Sequence, residues 1–361
     1  MKIGILTFHR AHNYGAILQC YALQQTFLKL GSQNVEVIDY RQPYIEQNYA
    51  VFSLRQALRK LRSPLNFIGY LKDTSNRRIR KWNFESFVKK HLVLSCPCTS
   101  KNIPQDCDLY VIGSDQLWST NVMRGVDSVY LGKFPIPTKA CRYTYAISSN
   151  NKSLDRIGDV LLKQYSQNFR MLSFREKSIV DKVSSMTGMN CRQDIDPVLL
   201  TTQEDWDEII YERWASRKYI LIYQIGSPNG DPSLIPQKAN EFAKEVGLEV
   251  IDVTSKLVSP EDFVSLFKYA QLILTTSFHG TAFSVLFNRP FYTVSVDEKL
   301  DARSLNLLNT LNIPNRYKKI EESFNEGEID YSVVNSLLDK FKMNSVRYLK
   351  SIFNETVSSS K

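Results

Sequence analysis

Ser277-Phe-His-Gly280 gathers a hydroxyl, an imidazole and a glycine into one turn. Upstream, Leu272 to Thr276 is a short apolar and β-branched run, suited to a buried parallel strand. Downstream, Thr281 to Phe287 spaces Phe283, Leu286 and Phe287 like the inner face of a helix. A strand that feeds a helix through such a turn points backbone N–H groups outward, and the helix dipole reinforces them. That is an anion site. His279 stands where such a site needs a proton carrier or a second positive charge. The plainer reading is a structural turn made by Gly280 and capped by His279.

Three further clusters sit at predicted strand ends. Asp108 to Ile112 ends in Gly113-Ser-Asp-Gln-Leu-Trp118, which packs a hydroxyl, a carboxylate and an amide into one corner. There Asp115 either takes a proton from a sugar hydroxyl as general base or only holds that hydroxyl, and Gln116 orients it. Lys2 to Phe8 ends in His9-Arg-Ala-His-Asn-Tyr-Gly15, where Asn13 and Gly15 offer amide and backbone groups to a sugar or phosphate. Asn13 equally reads as a helix N-cap. Met171 to Phe174 ends in Arg175, whose planar fork suits a carboxylate or phosphate; a surface ion pair with Glu176 or Asp181 is the alternative. Arg303 lies near the start of the helix Asp301 to Leu308, where a cation opposes the helix dipole unless it meets an anion.

The elements that must position these residues alternate strand and helix. Strand Lys2 to Phe8, helix Ala16 to Leu30 and strand Val35 to Tyr40 open a doubly wound α/β domain. The single glycine of the first loop is not the three-glycine dinucleotide fingerprint. Residues 1–200 form this domain, with a basic helical insertion near 51–90 in which Pro64 is expected to kink or split the helix. A polar helix over 201–216 reads as linker. The alternation restarts in a second α/β domain over 217–330, and 331–361 is a C-terminal helix with a frayed tail.

At 361 residues two domains are the natural expectation. Hydrophobic and charged fractions of 43% and 23% are those of a globular enzyme. The chain opens directly on a strand, without a signal peptide, so it is expected in the cytoplasm. Six scattered cysteines are expected to be reduced, and only Cys96 and Cys98 lie close, so no metal site is read. A formal charge of +9 favours anionic partners. Nucleic acid is not expected, since zinc-finger spacing and an RNA-binding aromatic pattern are both missing. The cations of 51–90 (Arg55, Arg59, Lys60, Arg62, Arg77, Arg78, Arg80, Lys81, Lys89, Lys90) interleave with Trp82, Phe84 and Phe87, which reads either as peripheral contact with an anionic membrane or as a solvated helical excursion.

Taken in order, Asn13-Tyr-Gly-Ala-Ile-Leu-Gln19, Val111-Ile-Gly-Ser-Asp-Gln-Leu-Trp118, Phe174-Arg-Glu-Lys177, Asp196-Pro197 and Ser277-Phe-His-Gly-Thr-Ala-Phe283 resemble polysaccharide pyruvyltransferases. The resemblance implies two Rossmann-like domains facing across a cleft, in a GT-B-like architecture. It also implies phosphoenolpyruvate as donor, a sugar diol as acceptor, possession of no cofactor, and a cyclic pyruvate ketal plus phosphate as products. On that reading His279 is the acid or phosphate-stabilising group. Ser277, Gly280 and Thr281 bind phosphate, and Arg175 and Arg303 hold donor charge. Asn13, Gly15, Ser114, Asp115 and Gln116 face the acceptor, which is a surface polysaccharide or its lipid-linked precursor. Two rival functions remain open: a nucleotide-sugar glycosyltransferase of the same architecture, and a non-catalytic module binding polyanions or membranes.

Overall fold

Apolar runs too short for helices, such as Ile3–Leu6 and Leu109–Ile112, are buried along their whole length, the pattern of parallel strands covered on both faces. The computed structural model describes residues 1–52, 64–297, 301–325 and 327–360. The chain divides into two compact units: Met1–Pro197 with Val346–Lys361, and Val198–Ser345. Both are α/β with parallel sheets.

In the first unit β1 (Ile3–Leu6) lies between β2 (Val35–Val37) and β3 (Leu109–Ile112), and β4 (Cys141–Thr144) follows β3. β5 (Leu172–Phe174) and β6 (Cys191–Gln193) pair with one another, and a parallel bridge from Ile147 to Phe174 carries them on from the β4 side. The order 2-1-3-4 is doubly wound, with its switch point between β1 and β3. Helix α1 (Tyr14–Lys29) begins where the Asn13 side chain accepts from the Ala16 N–H at 3.1 Å.

The helix α2 (Pro43–Asn48) and the long helix α3 (Pro64–His91) close over this edge. α3 starts at Pro64, where a residue of the first turn needs no intrahelical N–H; the kink or split expected there involves residues outside those described. The cations at 55–62 lie outside the described residues. Phe84 and Phe87 are buried, and Phe87 packs on Tyr21 and His91. Trp82 is 69% exposed.

Further along, α4 (Asn151–Ile157) and α5 (Asp159–Ser166) are separate helices, because Gly158 takes φ +79 between them. Helices α6 (Lys177–Thr187) and α7 (Pro197–Leu200) follow.

The second unit repeats the winding. β7 (Tyr219–Tyr223) lies between β8 (Glu249–Asp252) and β9 (Leu272–Thr275), followed by β10 (Phe291–Val294) and β11 (Tyr317–Lys318). Its helices are α8 (Leu234–Val246), α9 (Pro260–Tyr269), α10 (Phe278–Leu286) and α11 (Ala302–Thr310). Aromatic side chains fill its core: Phe263, Phe267 and Phe283 pack together, with Trp206 edge-on to Phe283 at 5.2 Å.

Two boundaries differ from those read in the sequence. The segment 201–216 is two short 3₁₀ helices, Gln203–Ile209 and Glu212–Trp214, and buries Trp206 and Ile209 in the second unit instead of forming a polar linker helix. The last helix, α12 (Tyr331–Ser360), continues through the serines expected to fray, and from Val346 onward it belongs to the first unit. There Tyr348 is buried and donates to the Thr144 carbonyl at 3.0 Å, and Glu355 accepts from Tyr143 and Arg170. Among the described residues no helix is long and apolar enough to cross a membrane.

Candidate active site

The carboxyl end of β9 carries the Ser277–Gly280 turn beside the switch point between β7 and β9. The Thr276 hydroxyl accepts from the Ile225 N–H at 2.7 Å and donates back to the Ile225 carbonyl, which ties the β7 loop to this turn. Thr275 Oγ1 donates to the Tyr223 carbonyl at 2.7 Å and accepts from the Ser277 N–H at 3.1 Å. These two threonines fix the direction in which α10 leaves. The Ser277 hydroxyl does not cap α10, and the amides of a helix's first turn point out of its N-terminus.

His279 is buried in that first turn, its ring 5.3 Å from the Phe278 ring. The Arg303 guanidinium lies over the same Phe278 ring at 5.6 Å. Arg303 is brought there by Asp301, the residue before α11. Its carboxylate accepts from the Val296 N–H, the Asp297 N–H and the Tyr317 hydroxyl at 2.8, 3.1 and 2.9 Å. The imidazole, a guanidinium and the helix start therefore meet around one phenyl ring.

Two residues of the turn have other work. Thr281 is fully buried, and its hydroxyl reaches the Ser277 carbonyl at 3.2 Å and the Thr293 hydroxyl at 2.7 Å. Its side chain faces the sheet rather than an incoming phosphate. A Cβ on Gly280 would stand 2.1 Å from Thr275 Oγ1, so glycine is required by the closeness of helix and strand.

In the first unit the corner after β3 is folded back on itself. Asp115 has φ +85; its carbonyl accepts from Leu117 and Ser148, and its carboxylate from the Gln116 N–H, each at 2.8 Å. Asp115 and Gln116 stay half-buried. Ser114 is completely buried, donates to the Ala146 carbonyl at 2.7 Å and accepts from Arg175 at 2.8 Å. Arg175 in turn pairs with Asp196 at 2.7 Å, their side chains 4% and 0% exposed. Thus Ser114 is no open acceptor ligand, and Arg175 lies in the first unit's interior, whereas Arg303, like His279, lies against Phe278 in the second. Asn13 serves as N-cap of α1, and Gly15 is buried in that helix's first turn.

Sequence reading passed over the fixing residues Thr275 and Asp301, although Asp301 preceding a helical run is itself a start signal. It also left His9 and His12 without a role. His9 is buried, Nε2 facing Asp39 at 2.9 Å and Nδ1 the Thr7 carbonyl. Burial acts to raise the Asp39 carboxyl, but hydrogen bonds from His9 and Arg41 and the charge of Arg10 hold it well below the usual range.

Among the described residues, Glu36, Asp106 and Cys107 converge within 4.8 Å as metal ligands would. Lys2 Nζ already lies 2.9 Å from Glu36 and 2.7 Å from Asp106, and burial pushes the Cys107 thiol up to about 12. An ammonium ion satisfies that group.

The model of the polysaccharide pyruvyl transferase family matches residues 13–298. The chain belongs to that family. The match takes in the β3 corner, Arg175 and the His279 turn of this pyruvyl transferase, and stops short of Arg303. No curated relative matches it by sequence. Solved structures similar to the pyruvyl transferase include a UDP-GlcNAc 2-epimerase from Methanocaldococcus jannaschii, at 11% identity and TM-score 0.46, covering 94% of this chain and 92% of the other. Another is the S. aureus MnaA–UDP structure, at 12%, TM-score 0.45 and coverage of 96% and 91%. The E. coli heptosyltransferase WaaC with ADP stands at 10%, TM-score 0.34 and coverage of 94% and 100%. Overlap at that level says nothing about substrate.

Proposed function

We propose that this pyruvyl transferase takes its pyruvyl group from phosphoenolpyruvate and delivers it to a sugar diol, forming a cyclic ketal and releasing phosphate. The observation that supports this reading is that His279 and Arg303 both lie against Phe278, at the start of α10. Phosphoenolpyruvate carries a phosphate and a carboxylate, and needs both fixed positive charge and backbone donors. No resident cofactor is required by this chemistry.

In the proposed reaction a proton goes to the methylene carbon of the donor, which makes the phosphate-bearing carbon electrophilic. One acceptor hydroxyl adds to that carbon and gives up its proton. The carbon–oxygen bond to phosphate breaks, and the second hydroxyl closes the ring as its proton leaves. His279 supplies the first proton or steadies the departing phosphate. Ser277 and the amides of Phe278, His279 and Gly280 hold phosphate, and Arg303 holds donor charge. Asp115 takes the hydroxyl proton and Gln116 orients the acceptor, while Arg175, through Ser114, is a positioning residue for that corner. The Thr281 hydroxyl, bonded to Thr293, is given no part in this reading.

Thermal denaturation separates donors, because a ligand of the folded state raises the melting temperature by mass action. Phosphoenolpyruvate is expected to raise it, and uridine and cytidine nucleotides are not. A shift with a nucleotide alone would replace this reading with the nucleotide-sugar one.

A further inference from the structure

A cavity of about 470 Å³ opens in the first unit between the loop after β1 and helix α3. This is within the range of small-molecule sites. Its floor is aromatic: the His12 ring lies 4.7 Å from Tyr49 and stacks on Phe84 at 5.6 Å. Its walls mix charges. Arg10 reaches Glu46 at 2.7 Å and Glu85 at 3.9 Å, and Lys81 reaches Glu85 at 3.6 Å. Lys89 and Arg41 complete the lining, so four cations face two carboxylates, with Asp39 behind Arg10 and Arg41.

A flat ring surface ringed by donors and acceptors matches a pyranose, whose C–H face is apolar and whose edge is hydroxyls. The excess of cations asks for one negative group as well. We propose that this cavity binds a pyranose carrying an anionic substituent, a sugar phosphate or a uronic acid, and that α3 supplies its cationic wall. The assignment rests on the reading that the first unit handles the saccharide.

Two electrostatic facts agree. Burial, then the charges of Lys81, Arg80 and Arg10, bring the His12 imidazole down to about 4, with only Glu46 opposing. An anion in the cavity must reverse part of that shift. The Tyr49 phenol is pushed up first by burial, with Arg80 opposing.

The groups acting on His12 are Arg10 from its own loop, Glu46 and Tyr49 from the α2 segment, and Arg80, Lys81 and Phe84 from α3, with His9 and Glu85 also lining the cavity. With four histidines in the chain, nuclear magnetic resonance of histidine-labelled protein resolves each ring. Glucose 1-phosphate, glucuronate, glucose and inorganic phosphate are titrated in separate arms. Glucose 1-phosphate or glucuronate is expected to move the His12 signals and raise its pKa, and the responding arm names the anionic group. Lys81→Gln with Lys89→Gln, two changes on the surface of a folded helix, should weaken that binding about tenfold or more.

Silence of His12 in every arm would overturn the proposal, as would an equal response to inorganic phosphate alone. Phosphoenolpyruvate in a fifth arm keeps the two readings apart. A response at His279 with silence at His12 in all sugar arms rejects the cavity and keeps the donor site. The converse keeps the cavity and rejects the donor site.

Discussion

The two sheets share a winding order, with polar side chains gathered at the carboxyl ends of their central strands, but those side chains are used differently. In the first unit the cationic groups at strand ends are tied to carboxylates and hydroxyls of neighbouring strands. Arg175 joins Ser114 to Asp196, and Arg41 and His9 converge on Asp39. In the second unit it is hydroxyls that do the tying. Thr275, Thr276 and Thr281 bind backbone groups and the Thr293 hydroxyl, and an imidazole and a guanidinium lie against Phe278 at a helix start. The lesson is that position at a strand end marks a corner of the fold where function can be built. Whether a charged residue there is a ligand or a brace depends on what the adjacent strand offers.

The largest expected effect tests the second unit. His279→Gln should reduce turnover about a hundredfold or more if the ring moves a proton, read as phosphate release from phosphoenolpyruvate with an acceptor present. Near-normal turnover would move His279 to the bracing class. Next, Asp196→Asn leaves a buried guanidinium uncompensated and should cost about 3 kcal/mol in chemical denaturation. A negligible change would mean that Arg175 is not a brace.

Gly280→Ala forces a methyl group against Thr275 Oγ1 and should cost about 2 kcal/mol by overpacking, read from the same denaturation curves. The smallest effect is one of pH. The Asp39 carboxyl is depressed in the folded state, so its contribution is fully present above its ordinary value of 3.8 and is lost as pH falls below it. Between pH 7 and pH 3 the parent protein should therefore lose more stability than Asp39→Asn does. Equal losses would show that Asp39 is not held by its neighbours.

Much of this was legible in the sequence because hydrophobic periodicity separates short buried strands from helices. The strand-to-helix junction that carries His279 was legible in the apolar run before it and the helical spacing after it, as was the place of Arg303 at a helix start. Other features needed the third dimension. Thr281 stands next to the turn in sequence, yet one helical step points its hydroxyl at Thr293 on β10. Ser114 and Arg175 look like separate ligands until β5 brings them within bonding distance. The partners of His12 lie some seventy residues away on α3, which no local pattern reveals.

The most direct test is a crystal structure with phosphoenolpyruvate or an unreactive analogue bound. The account predicts the phosphate on the amides of Phe278 to Gly280, with His279 and Arg303 against the donor. A donor lodged instead in the cavity lined by Arg10 and Lys81, with the Ser277–Gly280 turn empty, would contradict it.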